Sequence, residues 1–345
     1  MRRNKQNIKL LLTIVALVLF VVFSGFYMSH QQNQQLKVEK EDEDLYVGLV
    51  QYADHPSLDA ISKGIIDTLA ENNYIDGENI NLDFQNGQGD EGNLNTIANR
   101  FVSNDADLMI AIATPAALSL ANASSDIPIL LGAITDPENV GLIEENEAPG
   151  GNITGVSDMT PIDQQLELVT ELQPDVEKLG ILYSSSEDNS ILQGDMAEKL
   201  AKEHDLETLT RTVSSTNEVA QVTQQLVTEV DAIWIPNDNM VASAFPSVLE
   251  VTNEEQIPVY PAVDTMVAEG GLATLGLNQY QIGVETGEMA VEVLDGDIEP
   301  ATEPIHFANK TDLVINFEVA EALGIEIPEA AATEAIDASE LEEDE

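Results

Sequence analysis

Polar side chains follow the predicted strands of this chain at six places, and these residues could carry out its chemistry. Hydroxyl groups and the N–H groups at helix starts bind anions, whereas aspartate carboxylates bind cations. The six segments are residues 51–57 (QYADHPS), 113–115 (ATP), 135–137 (TDP), 184–186 (SSS), 236–239 (PNDN) and 262–264 (AVD). Together they predict a site for a small ligand that has polar or charged groups.

Alternating strands and helices must position these segments. The apolar runs LYVGLV (45–50) and LMIAI (108–112) predict buried strands, and apolar residues recur at helical spacing between such runs, for example over residues 57–72. Strands that alternate with helices in this way form parallel sheets covered by helices on both faces. We therefore predict an α/β fold.

Two strand–helix series follow one another, which is more than one ordinary core holds. We predict two doubly wound parallel-sheet lobes joined by a hinge. The N-terminal lobe is assigned residues 45–155 plus 277–300, and the C-terminal lobe residues 156–276 plus 301–328. Because ligands bind outside the carboxyl ends of strands in open parallel sheets, the six segments are expected to face a shared cleft between the lobes.

The two ends of the chain have their own patterns. Four basic residues within positions 2–9 precede an uncharged run of 18 residues, 10–27, which would span roughly 27 Å as a helix. The positive flank places the N-terminus in the cytoplasm. We predict an uncleaved signal anchor at 1–28, with a cleaved signal as the alternative, and a tether at 29–44 that leaves the rest extracytoplasmic. Residues 329–345 end in ELEEDE and are predicted to be an acidic disordered tail.

Composition excludes several function classes. After Lys9 the chain carries 9 basic and 63 acidic residues, and a field of that sign repels nucleic acid and anionic lipid. The acidic residues are spread along the chain, which favours a surface adapted to high salt or alkaline medium over a site that captures a cation. The chain has no cysteine, so disulfides, thiolate metal sites and cysteine catalysis are excluded.

The remaining motifs do not indicate catalysis. GQGDEG (87–92) has the spacing of a dinucleotide-binding loop, but it follows the second strand, and Asp90 and Glu91 would repel a pyrophosphate. We interpret it as a glycine-rich turn. No H-E-x-x-H, G-x-S-x-G or G-x-x-x-x-G-K pattern occurs, and there is no D-x-D-x-D-G calcium loop. We expect neither an enzyme nor a metal or cofactor site.

An ordered set of short segments supports a family resemblance over about residues 45–328. These are HPSLD (55–59), AIATPA (111–116), AITDP (133–137), NITG (152–155), PNDN (236–239), EGGLAT (269–274) and LVIN (313–316). With them the chain resembles the substrate-binding proteins of ABC importers, in the tryptophan/tyrosine-type family with a type I periplasmic-binding-protein fold. The resemblance implies a receptor that closes on an amino acid and delivers it to a membrane permease. The chain departs from lipid-anchored members because it has no lipobox cysteine.

For an amino-acid ligand, the resemblance implies partners for a carboxylate, an ammonium group and a side chain. The residues expected near the carboxylate are Ser57, Thr114, Ser184 and Ser185. Those expected near the ammonium group are Asp136, Asp238 and Asp264, with Asn237 as a further ligand contact. Those expected around an aromatic side chain are Tyr52, His55 and Pro115.

Structural roles remain open for several of these residues. The alternative roles are helix caps for Ser57 and Thr114, part of a turn for Asp136, and a surface-loop position for His55. The main hypothesis is a monomeric receptor for tryptophan or another aromatic amino acid, with permease subunits as partners and no nucleic acid. The alternatives are a sensory ectodomain with the same fold and a receptor for a different small polar ligand, such as a sugar or a nucleoside.

Overall fold

Three sheets organise the part of the chain that the structure describes into two lobes. The structure is a computed structural model and describes residues 45–341. Among these residues no helix is both long and apolar enough to cross a membrane. The predicted anchor (1–28) and tether (29–44) lie outside the described residues, as do residues 342–345.

The first lobe contains a six-stranded sheet in the order β11-β5-β4-β3-β1-β2. Its strands are β1 (Leu45–Gln51), β2 (Ile80–Asn86), β3 (Leu108–Ile112), β4 (Ile129–Gly132), β5 (Ile153–Ser157) and β11 (His306–Phe307). The pairs β1–β3, β3–β4, β4–β5 and β5–β11 are parallel. Every residue of β3 is buried, as expected for a central parallel strand covered on both faces.

The second lobe contains two smaller sheets. One has the order β7-β6-β8-β9 and is parallel throughout. The other has the order β10-β12-β13, with β10 and β12 antiparallel. The strands are β6 (Lys178–Ser184), β7 (Glu207–Val213), β8 (Ala232–Ile235), β9 (Val259–Pro261), β10 (Ala273–Leu277), β12 (Thr311–Ile315) and β13 (Ile336–Asp337). The predicted α/β architecture is confirmed, and the antiparallel pair is a local departure from it.

Helices connect and cover these strands. Those of the first lobe are α1 (Pro56–Glu71), α2 (Glu91–Ser103), α3 (Thr114–Ala123) and α10 (Gln279–Asp295). Those of the second lobe are α4 (Ile162–Leu172), α5 (Asp188–Leu200), α6 (Val219–Leu226), α7 (Asn239–Ser243), α8 (Phe245–Glu255), α9 (Asp264–Ala268), α11 (Phe317–Leu323), α12 (Glu329–Glu334) and α13 (Ala338–Leu341). The first lobe has its own apolar core, and the second lobe is built around two main apolar clusters.

Helix α10 is fixed to α1 by close backbone contact. A methyl group on Gly64 would lie 2.3 Å from the carbonyl oxygen of Tyr280, and one on Gly283 would lie 2.2 Å from the carbonyl oxygen of Ile61. Only glycine allows such an approach at these positions. The helix that follows β10 is therefore tied to the first lobe.

The structure corrects three expectations about boundaries. The first lobe does not end at residue 155, because β5 continues to Ser157 in the first lobe's sheet. Residues 306–307 pair with β5, and Ile305 is buried in the first lobe's core, so this part of 301–328 does not belong to the second lobe. Residues 329–341 are not a disordered tail, since they form α12, α13 and β13, which pairs with β12.

Candidate functional site

A cavity lies between the lobes at the carboxyl ends of their strands. The space in it that a water-sized sphere can enter is about 30 Å³, so the cleft is nearly closed in this structure. The first lobe contributes residues that follow β1, β3, β4 and β5. The polar residues that line it are His55, Ser57, Thr114, Thr135, Asp158, Asn189, Asn237, Asp238, Asn239 and Gln279.

Two helix N-termini of the first lobe face this cavity. Ser57 lies in the first turn of α1, which begins at Pro56, and Thr114 is the first residue of the ten-residue helix α3. Ala113, which directly precedes Thr114, and Ala133 also line the cavity. Their φ values are 75° and 61°. Positive φ is unfavourable for alanine, and such backbone strain is concentrated at functional sites.

Asp158 follows β5 and lines the cavity, and one oxygen of its carboxyl group has no hydrogen-bond partner among the described residues. The side-chain amide of Asn237 donates to Asp158 Oδ2 and to the Asp158 carbonyl, each at 3.1 Å. Asp158 Oδ1 is buried and accepts no hydrogen bond from the described residues. Burial raises the pKa of this carboxyl to about 6, because the charged form loses its hydration.

Two further oxygens near Asp158 also lack donors. The amide of Asn189 donates to the carbonyl of Asn237 at 2.7 Å, which joins these residues to Asp158 in one hydrogen-bonded group. The Oδ1 atoms of Asn189 and Asn237 are both buried without a partner among the described residues. No lysine or arginine lines the cavity. The second lobe and β5 therefore present three acceptors that require donors from a ligand or water.

Asp238 lines the same cavity, but its carboxylate is used within its own lobe. Oδ2 accepts the N–H of Ser184 at 2.6 Å, and Oδ1 accepts the N–H of Val241 at 2.7 Å, which caps α7. Glu187 lies nearby and accepts the N–H groups of Asn239 and Met240. Burial and the charge of Asp238 raise the pKa of Glu187 to about 8, and burial also raises the pKa of Asp238.

Three further side-chain contacts, besides that of Asn237 with Asp158, join the lobes across the cleft. His55 Nε2 lies 3.2 Å from Asn239 Oδ1, and Ser57 Oγ lies 2.5 Å from Thr265 Oγ1. The third joins the Gln193 amide to Thr135 Oγ1 at 3.4 Å. Burial lowers the pKa of His55 to about 4, so its ring is neutral at physiological pH.

Five of the eleven predicted site residues line the cavity, namely His55, Ser57, Thr114, Asn237 and Asp238. Asp264 lies next to it in a groove with Thr265 and Gln279, where burial raises its pKa to about 7. Ser184 is buried behind the lining and donates to Asp238. The remaining four, Tyr52, Pro115, Asp136 and Ser185, do not line the cavity.

Those four residues have structural roles instead. The Tyr52 hydroxyl lies 3.3 Å from the carbonyl oxygen of Gly89. Pro115 lies in the first turn of α3, and Ser185 is exposed and donates to the carbonyl of Val213. Asp136 accepts both N–H groups of Asn139 in a turn, which is the structural alternative considered for it.

Sequence reasoning missed Thr135, Asp158, Asn189, Asn239 and Gln279 as lining residues. Thr135 and Asn239 belong to two of the six polar segments, but their charged neighbours Asp136 and Asp238 were predicted to contact the ligand. Asp158 was missed because the first lobe was predicted to end at residue 155, and no strand was predicted there. A strand ending at Ser157 would have marked Asp158 by the same rule that marked the other segments.

Comparison with known proteins assigns the chain to a family. The sequence profile described as "ABC transporter substrate binding protein" matches residues 46–338. The chain belongs to the ABC transporter substrate-binding protein family. Its members bind a solute and are not enzymes, and they work outside the cytoplasm; the predicted family and the type I periplasmic-binding-protein fold are confirmed.

Individual relatives of this family member are similar over most of their length. It is 38% identical to a tyrosine-binding protein of Clostridioides difficile, over 92% of this chain and 93% of the relative. A solved ABC domain from Streptococcus pneumoniae in complex with L-Trp is 43% identical, with a TM-score of 0.83 over 86% of this chain and 99% of that one. A ligand-free, open substrate-binding protein with adhesive properties from Clostridium difficile is 37% identical, with a TM-score of 0.66 over 85% and 99%.

Proposed function

We propose that this protein is the ligand-binding receptor of an ABC importer for an aromatic amino acid. The observation that carries the proposal is the group of three unpartnered oxygens on Asp158, Asn189 and Asn237 in a cavity without lysine or arginine. An α-ammonium group has three N–H donors and a positive charge. It therefore suits a cavity lined by three residues with unpartnered acceptors, one of which is a carboxylate.

The opposite charge of the amino acid has its own partners. Thr114 begins α3 and Ser57 lies in the first turn of α1, so both helices direct N–H groups and the positive ends of their dipoles at the cavity. Such helix starts bind carboxylates without any basic side chain. The first lobe thus supplies the groups for the ligand carboxylate, while the second lobe and Asp158 supply those for the ammonium group.

Apolar side chains of both lobes complete the lining. They are Leu58, Ile61, Ala113, Ala133, Ala242, Val263 and Met266. These aliphatic side chains and the thioether of Met266 pack favourably against an aromatic ring. The names of two relatives, one tyrosine-binding and one solved with L-Trp, support the same ligand class.

The direct contacts across the cleft support a closed state of this receptor. The chain also superposes better on the relative that contains L-Trp than on the open, ligand-free relative. In this proposal the ligand stabilises closure because residues of both lobes bind it at the same time. The closed receptor then docks as a monomer on permease subunits, and residues 1–28 hold it at the cell membrane.

Calorimetric titration of the full-length protein with L-tryptophan and L-tyrosine tests the proposed ligand. The controls are indole-3-propionate, which lacks the ammonium group, and myo-inositol, a polar ligand without charge. We expect binding of one or both amino acids and of neither control. Binding of myo-inositol alone, or equal binding of indole-3-propionate, would contradict the amino-acid proposal.

A pair of variants tests the carboxylate site. Thr114→Val removes a hydroxyl from the cavity and should weaken amino-acid binding about tenfold, the loss of one hydrogen bond to a charged group. Thr170→Val removes a hydroxyl from the exposed side of α4, where Thr170 only bonds the carbonyl of Glu167, and should leave affinity unchanged. Equal affinities for the two variants would place the ligand carboxylate elsewhere.

A further inference from the structure

Glu187 is a buried carboxyl group that does not line the cavity. It precedes α5 and is 1% exposed. Its Oε1 accepts the N–H of Met240 at 2.9 Å. Its Oε2 accepts the backbone N–H of Asn239 at 3.2 Å and the side-chain amide of Asn239 at 2.5 Å. Among the described residues, the side-chain hydrogen bonds of Glu187 are thus all made with residues 239 and 240.

These bonds fix the orientation of the Asn239 amide. When Glu187 is ionised, its carboxylate only accepts hydrogen bonds, so the NH₂ group of Asn239 faces Glu187 and its Oδ1 faces away. That oxygen lies 3.2 Å from Nε2 of His55, on the opposite lobe. Because Asn239 Oδ1 is an acceptor, His55 Nε2 must carry a proton.

The other ring nitrogen of His55 then has a defined role. Burial keeps the ring neutral by lowering the pKa of His55 to about 4, and a neutral imidazole with a proton on Nε2 has an acceptor at Nδ1. His55 lines the cavity, and its Nδ1 is buried without a partner among the described residues.

We propose that Glu187 and Asn239 form a relay that sets the tautomer of His55 and makes its Nδ1 an acceptor for an N–H or O–H donor of the ligand. The relay spans both lobes, so it is complete only when the cleft is closed. Glu187 is a positioning residue, since it acts through Asn239 and His55. This inference rests on the proposed amino-acid receptor function.

Histidine ¹⁵N NMR of the full-length protein, saturated with L-tryptophan or L-tyrosine, tests the relay. The spectra are recorded at about pH 9, above the raised pKa of Glu187, and His55→Gln assigns the His55 signals. We expect a protonated Nε2 and an unprotonated Nδ1. The opposite tautomer would overturn the proposal, whereas an absence of binding to either amino acid in calorimetry would instead refute the proposed function.

The variant Glu187→Gln tests the relay through its first member. Glutamine has one acceptor oxygen where glutamate has two, so its NH₂ group replaces an acceptor either at the N–H of Met240 or at Asn239. Where the NH₂ group faces Asn239, the Asn239 side chain must turn its Oδ1 to accept. The NH₂ of Asn239 then faces His55 Nε2 and moves the ring proton to Nδ1. We expect this tautomer change with at least about tenfold weaker binding, the cost of one misplaced hydrogen bond.

Asp188→Asn is the matched control, because Asp188 is an exposed neighbour of Glu187. It should retain the wild-type tautomer and affinity. Wild-type behaviour of Glu187→Gln, or an equal loss in both variants, would overturn the relay. If Glu187→Gln does not fold, the tautomer of the wild-type protein decides the question.

Two ligands identify the donor that meets Nδ1. L-tyrosine has a phenol O–H that L-phenylalanine lacks. If Glu187→Gln weakens binding of tyrosine more than binding of phenylalanine, the donor is the side-chain hydroxyl. If it weakens both equally, the donor is the ammonium group that they share, and one of the three acceptors assigned to that group is bound by water instead. Either result supports the relay, and no weakening of either ligand contradicts it.

Discussion

Asp158 shows how a single residue connects binding with stability. Its carboxyl is buried, and Oδ1 has no donor within the described chain. Burial raises its pKa from 3.8 to about 6. The carboxyl binds protons more tightly when folded than when unfolded, so the stability of the ligand-free protein falls as pH rises between these values and stays lower above them. The ammonium group of a bound amino acid would compensate for the buried charge.

Asp158→Asn should therefore separate stability from binding. Near pH 8 the ligand-free variant should have a higher free energy of unfolding than the wild type, by an amount on the order of 1–3 kcal/mol, because a buried charge is removed. Its affinity for L-tryptophan and L-tyrosine should fall at least about a hundredfold. Calorimetry measures both quantities.

Asp136→Asn is the comparison for this variant, because Asp136 follows the adjacent strand β4 but only bonds Asn139 in a turn. We expect its affinity to stay within about twofold of the wild type. A larger loss in Asp136→Asn than in Asp158→Asn would reverse the assignment of the ammonium partner.

The same carboxyl predicts how binding depends on pH. A positive ammonium group favours the ionised form of Asp158, so ligand binding releases a proton below about pH 6. Affinity should increase as pH rises from about 5 to about 7 and then level off. Titrations in buffers of different ionisation enthalpy measure the proton release. Persistence of the same pH profile in Asp158→Asn would exclude Asp158 as its source.

At this scale the sequence predicts which segments meet but not which carboxylate faces the ligand. Asp238 and Asp158 both follow strands and both line the cavity. The difference is that Asp238 accepts N–H groups from Ser184 and Val241, whereas Asp158 keeps one oxygen free. That distinction depends on the backbone of neighbouring loops, which composition and spacing do not specify.

Among the elements, the pairing of α1 with α10 shows how glycine fixes a close contact. Gly64 and Gly283 allow the two helix backbones to touch. Because α10 follows β10 of the second lobe, this contact fixes the place where the chain returns to the first lobe. Gln279 begins α10 and lines the cavity. Its position therefore depends on this contact.

Gly283→Ala tests this contact. Alanine would favour an isolated helix by about 1 kcal/mol, but its methyl group would lie 2.2 Å from the Ile61 carbonyl oxygen. We expect a net loss of at least about 2 kcal/mol of unfolding free energy, because backbone cannot move aside as a flexible side chain does. Chemical denaturation measures the change.

Gly151→Ala is the control for this substitution. No atom lies within 4 Å of its added methyl group. Its free energy of unfolding should change by less than about 0.5 kcal/mol. A loss in Gly283→Ala no larger than that in Gly151→Ala would show that the helices separate at little cost.

Strand β5 was not predicted from the sequence, and its composition explains why. Its sequence, ITGVS, contains Gly155 with φ of 146°, and glycine usually weakens a strand. Here a methyl group would lie 2.3 Å from the backbone of Leu131 in β4. Only contact with its neighbour makes this segment a strand, whereas the apolar β3 is recognisable from sequence alone.

The molecule as a whole carries a charge that its own ion pairs do not balance. The sequence has 63 acidic and 13 basic residues, a net charge of −50. Repulsion among these charges opposes the compact state, and salt screens it over a few ångströms at molar concentration. The overall charge is evident from sequence, as is the alternation of strands and helices that defines the fold class.

Thermal unfolding should consequently shift upward with salt. We expect an increase of about 5 °C or more between about 0.05 M and about 1 M NaCl, because screening relieves repulsion mainly in the folded state. Equal increases with NaCl, KCl and choline chloride would indicate screening. An increase with one cation alone would indicate the capture of that cation, and a decrease would show that repulsion does not limit stability.

The order of the strands also affects when the chain can fold. The first lobe's sheet needs β11 at His306–Phe307, and α10 packs on α1 from the same late part of the chain. A chain that emerges N-terminus first therefore cannot complete its first lobe until nearly all of it has been synthesised. Distant parts of the sequence must meet before the lobe is stable, which slows folding. During this delay the apolar strands of the first lobe stay unpaired and exposed, which is the state in which chains aggregate.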